Sequence, residues 1–172
     1  MNAVGLPRDF LQQVVDPDVA ECFSAPAIRT AFHACTSLLS LRDWVHTSYQ
    51  STSWHFRNVA QRPFSSKSDL QKALEALEPA VAIVTDIANA SKHMVLKPTM
   101  ARTSLYGAAN TTVTQTSSGG GIGGGPIGGA PIGGSVTIIG VSVDIGGSQF
   151  DVLGSVRSCH ALWLGLFNDN SW

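Results

Sequence analysis

An apolar stripe running from Leu70 to Val95 limits what this chain can fold into more than any other feature. Leu70, Leu74, Leu77, Val81, Val84, Ala88 and Val95 recur at three- and four-residue steps or their sums, for about seven helical turns at 3.6 residues per turn. A strand repeats every second residue, so only a helix gathers these positions on one face. That face cannot remain in water, and the economical cover is other helices with matching stripes. The spacing therefore predicts a helix over 68–96, with Ser68 and Asp69 as its start signal and Pro98 just beyond its end. Pro79 lies inside the pattern, where it removes one backbone hydrogen bond and crowds the carbonyl four residues earlier. The stripe keeps its phase across Pro79, so a kink is expected there rather than a break.

Three further segments carry the same period. Ile28, Phe32, Cys35, Leu39 and His46, widened by Leu38, Val45 and Tyr49, define an amphipathic helix over 26–49, with Ser24 as cap and Pro26 in the first turn. A shorter helix over 17–23 follows from Asp16 as cap and Pro17 opening the turn. Val152, Val156, Cys159, Trp163 and Phe167 give the last helix, 151–168, with Asp151 as cap. Residues 51–68 hold no sustained period and read as a loop with one local turn of helix.

Beyond Pro98 the pattern changes to strand. The Thr-rich stretch 101–116 and "SVTIIGVSVDI" at 135–145 are both β-prone. Between them, residues 119–134 hold ten of the seventeen glycines, a composition that buries too little to offset its ordering entropy. The expected architecture is thus mainly α: one domain over 1–172, an antiparallel bundle of four to five helices. A β-hairpin arm over 101–150, with a flexible tip at 117–134, is inserted before the last helix, and "GGSQF" at 146–150 turns the chain back.

Only 13% of the residues are charged and the formal net charge is −1, which excludes a broad electrostatic footprint for nucleic acid or anionic lipid. No stretch has the form of a secretory leader or the length of a membrane span, so the expectation is a cytoplasmic protein that does not engage a membrane. Three cysteines, Cys22, Cys35 and Cys159, are an odd number scattered over the chain. They point to reduced thiols, with Cys35 and Cys159 in packing roles.

Chemistry concentrates in "DIANASKHMVL". At about 100° per residue, Asp86, Asn89 and His93 share one narrow sector, Lys92 falls on the apolar stripe, and Ile83, Ile87 and Met94 border the sector. Two readings stand. The cluster is a structural polar network, or it is a catalytic site with His93 as acid/base and Lys92 as anion clamp. An up-down bundle brings Arg29, His33, Arg157 and His160 toward this helix end, which makes Arg157 and His160 candidate members of the site. Arg42 and His46 then lie toward the opposite end, as a buried polar contact with Glu75 or Glu78. His33 with Cys35, and Cys159 with His160, lack zinc spacing, so no metal is expected. The glycine tract lacks the Lys-Ser/Thr ending of a phosphate loop, and no cofactor is expected. Trp44, Trp54, His55 and Phe56 are anchors rather than a base-stacking surface, since no basic stripe accompanies them.

The order Asp86, Asn89, Lys92, His93, then a β excursion and a closing helix with a tryptophan, resembles a group of uncharacterised small bacterial proteins sharing a D-x-x-N-x-x-K-H helix end. More distantly, over 26–96 and 151–168, the pattern resembles the HEPN superfamily of four-helix proteins. That resemblance implies metal-independent ribonucleases or partners in toxin–antitoxin and defence systems. HEPN nucleases carry a more widely spaced arginine and histidine on a late helix, whereas two residues separate Arg157 from His160 and three separate Arg42 from His46. No position matches that catalytic motif. The favoured function is a non-enzymatic interaction module, a homodimer or defence-type partner; the β-arm either packs on its own bundle, the favoured expectation for that strand, or engages the second copy or partner by strand addition. The alternative is a HEPN-like RNA-processing enzyme that uses His93.

Overall fold

The computed structural model describes residues 5–92, 112–119, 136–145, 148–170 and 172. It is a mainly helical bundle with small antiparallel sheets, one of them immediately before the last helix. The N-terminal helical run is longer than expected: α1 (Pro7–Phe10), a π-helical stretch Leu11–Val15, and α2 (Asp16–Ser24). Leu11, Val15, Val19 and Cys22 are its buried stripe. Pro17 has no N–H to offer and its ring crowds the carbonyl of Gln13. The ladder widens there, and the Asp16 amide reaches back to the Leu11 carbonyl. Asp16 therefore sits within a continuous helical run and makes no capping hydrogen bond, contrary to the sequence expectation.

The long helix α3 (Ile28–Tyr49) packs on α2 and on the three helices that follow. It starts two residues later than expected. Thr30 Oγ1, not Ser24, takes the Ala27 amide at 3.0 Å, while Ser24 Oγ turns back to the Glu21 carbonyl. Its buried seam is Ala31, Ala34, Cys35, Leu38, Leu41 and Val45, with Phe32, Leu39 and His46 at the margin. The small alanines admit close helix approach, so the centre of the seam lies beside the bulky residues that dominate the periodic pattern.

Residues 51–68 do not form the expected loop with a helical turn. They hold a hairpin of β1 (Trp54–Phe56) and β2 (Val59–Gln61), whose two-residue turn places Arg57 and Asn58 at φ 50° and 63°. A turn with two left-handed residues matches the strand twist of a tight hairpin, and here it is built without glycine. Asn170 clasps the hairpin's outer edge, accepting from the His55 amide and donating to its carbonyl, both at 2.8 Å. Asp169 accepts from the Arg57 amide.

At Pro79 the chain breaks rather than kinks, giving α4 (Lys67–Leu77) and α5 (Ala80–Lys92). The proline ring pushes the preceding residue out of the helical region, and Glu78 is extended at φ −147°, ψ 103°. Its carboxylate then accepts from the Ala80 amide at 3.1 Å. The stripe survives the break, since Leu70, Leu74, Val81, Val84 and Ala88 are all buried. The start signal is Ser66, whose Oγ takes the Asp69 amide, two residues ahead of the expected Ser68.

The arm is a three-stranded antiparallel sheet in the order β3 (Thr112–Gly119), β4 (Val136–Ile145), β5 (Ser148–Asp151). Residues 117–119, expected in the mobile tip, continue β3 and pair with β4. The rest of that tip, the stretch 101–111, and His93 to Val95 lie outside the described residues. "GGSQF" is not all turn, because Ser148–Asp151 is a strand. The register shifts between Thr116 and Ser117, opposite Ile138 to Gly140. There the apolar phase of the sequence changes from Val136 and Ile138 to Ile139, Val141, Val143 and Ile145. An extra residue resets the two-residue alternation, so phase change and bulge coincide. Helix α6 (Val152–Asp169) closes the bundle, burying Val152, Val156, Cys159, Leu162, Trp163, Leu166 and Phe167. No helix among the described residues is long and apolar enough to cross a membrane.

Candidate functional site

Helix α5 packs between α3 and α6, which places Asp86 at 0% exposure and leaves Asn89 half-buried one turn on. Lys92 is the last residue of the helix and His93 falls outside the described residues. The four basic residues expected around this helix end turn toward α2. Arg29 pairs with Glu21 at 2.7 Å, and Arg157 lies over the Phe23 ring at 4.9 Å. His160 Nε2 meets Asp16 at 2.7 Å, and His33 stands beside Asp18 and Glu21. Three of the four, Arg29, His33 and His160, face the acids of α2, and Arg157 faces an aromatic ring. Asp16, Asp18 and Glu21 lie on one nine-residue helix that packs against both α3 and α6. The signal was in the sequence as three carboxylates within six residues, 16–21. One ligand atom from each of Asp18, Glu21 and His33 lies within 4.8 Å of the others, so this corner holds the donor set for a cation.

A second polar cluster joins α3, α4 and α5. Arg42 donates to Asp43 Oδ1 through Nε and Nη2 at 3.0 and 2.8 Å, and through Nη1 to Gln71 Oε1 at 2.9 Å. The Gln71 amide donates to Glu75 Oε1 at 2.8 Å and to the Thr85 hydroxyl at 2.9 Å. Arg42 thus reaches Glu75 through a buried glutamine. Lys67 adds a 3.1 Å contact to Asp43. Burial acts to raise the Asp43 pKa, but Arg42 and Lys67 outweigh it and hold the carboxyl below its ordinary range. His46 Nε2 is buried with no hydrogen-bond partner among the described residues, its ring 6.1 Å from that of Phe64.

Nucleophilic chemistry through the thiols is disfavoured. All three cysteines are free and buried. Burial raises the Cys22 pKa to about 11 and that of Cys159 to about 12, and lifts Cys35 well above its usual value, so the thiolate is scarce at neutral pH. Comparison with known proteins finds no matching family model, no similar curated protein and no similar solved structure.

Proposed function

We propose that this chain is a cytoplasmic, non-enzymatic interaction module that pairs with a second copy of itself through β4. The observation that carries this reading is the unequal pairing of that strand. Residues 142–145 are flanked by both β3 and β5, whereas the stretch 136–141, with Ile139 at the register shift, pairs with β3 alone among the described strands. Those six residues, "VTIIGV", are uncharged, β-prone and free of proline, the composition that receives an added strand. A two-fold axis would pair the segment antiparallel with itself, and a net charge of −1 opposes association little. Three buried, free thiols suit a reducing compartment.

Light scattering on the purified protein is the test. The expected mass is twice the chain's 18.1 kDa, falling to one chain with excess peptide of sequence VTIIGV or with Ile139→Lys. A folded monomer at micromolar concentration overturns self-pairing and leaves a defence-type partner as the occupant to seek. RNA cleavage by the wild type, lost in a folded His93→Ala variant, would replace this reading with the RNA-processing one.

A further inference from the structure

The α2–α3 corner brings two carboxylates and an imidazole together from two different helices. We propose that Asp18, Glu21 and His33 bind a divalent first-row transition ion of the zinc class, which clamps α2 to α3. Their ligand atoms lie within 4.8 Å of one another, and tetrahedral zinc at bond lengths near 2.0–2.1 Å needs donors about 3.3 Å apart. The difference is within reach of rotamer adjustment, because Glu21 and His33 are exposed. Asp18 and Glu21, three residues apart, stand on one side of α2.

The backbone beneath the site is already fixed. Thr30, 2% exposed, holds the Ala27 amide, and its hydroxyl lies 3.0 Å from the carbonyl oxygens of both Ala25 and Ala27. The link between the two helices is therefore tied down, and an ion would order only side chains.

The donor set selects the cation. Magnesium and calcium favour all-oxygen shells of six or more ligands, whereas an imidazole with two carboxylates suits zinc and its neighbours. Arg29 occupies one oxygen of Glu21 at 2.7 Å and offsets one of the two negative charges. It is the built-in competitor of the ion. Three protein ligands leave a coordination position, at an exposed face, for water or for a donor from another molecule.

The test uses full-length protein stripped with a chelator and titrated with zinc chloride by calorimetry and thermal melting. One equivalent of zinc should bind, and Tm should rise by about 5 °C at zinc concentrations roughly a hundredfold above Kd. His33→Ala and Asp18→Asn should each weaken binding by about tenfold or more, Arg29→Ala should strengthen it, and magnesium should leave Tm unchanged. Absence of zinc binding overturns the proposal. So does wild-type affinity in a folded His33→Ala variant, which would assign the ion to other donors such as the thiols.

Discussion

The two ends of α3 are held in different ways. Where Tyr49 ends the helix, five aromatic rings close the bundle: Trp172 stacks on Tyr49 at 5.4 Å and on Trp54 at 6.0 Å, and meets Phe64 and Phe167 edge-on at 6.4 and 6.1 Å. Trp54 and Phe64 are each 1% exposed, and the Trp54 indole still finds the Arg62 carbonyl at 2.7 Å. At the other end, α2, α3 and α6 meet through half-exposed charge pairs above three buried thiols. One end is fixed by excluding water, and the other can be adjusted by protons, salt and ions. Stability should concentrate in the first and responsiveness in the second.

Trp54→Ala is the heaviest blow to that contrast. It opens a cavity in the aromatic corner and should cost about 3–5 kcal/mol in denaturant unfolding, equally at low and high salt. Alkaline pH is expected to have the next largest effect, and it attacks the opposite end. The folded-state pKa values of the thiols are raised, so their stabilising share is complete below the ordinary thiol value of 9.0 and drains as pH climbs toward about 12. Melting temperature against pH should fall through that window, and Cys159→Ala should flatten the fall.

Between the two ends sits the Arg42 network. Arg42→Ala strands the 2%-exposed Gln71 carbonyl and should cost about 1–3 kcal/mol. Arg29→Ala is the mildest change. Its pair is 65% and 43% exposed, so water and salt leave it about 0.5 kcal/mol or less. If Arg29→Ala proved as costly as Trp54→Ala, the division between a dry end and a wet end would fail.

The helical architecture was legible because the stripe from Leu70 to Ala88 is set by helix geometry alone, and Pro79 did not disturb its phase. What Pro79 did to the backbone was less legible: phase is kept equally by a kink and by a break with an extended Glu78. The hairpin at 54–61 escaped because its turn uses Arg57 and Asn58 where glycine is the usual marker. The candidate site at the end of α5 rested on helical angles, which place Asp86, Asn89 and His93 on one side but do not say which helix supplies their partners. Arg29, His33 and His160 lie against the acids of α2, and Arg157 over Phe23. Those acids lie beside a proline, which drew the reading toward a cap.

Arg8 joins α1 to the end of α6 and to Trp172. Its Nε and Nη2 donate to the carbonyls of Trp172 and Phe167, both at 2.6 Å, across separations of 164 and 159 residues. During synthesis, the two carbonyls that anchor α1 emerge from the ribosome 159 and 164 residues after the arginine they hold. Contacts so distant along the polymer form late, after the intervening segments have shortened the loop between them. A nascent chain halted before position 167 should therefore carry α1 undocked, and ribosome-bound intermediates should be cut by protease near Arg8 until α6 is released.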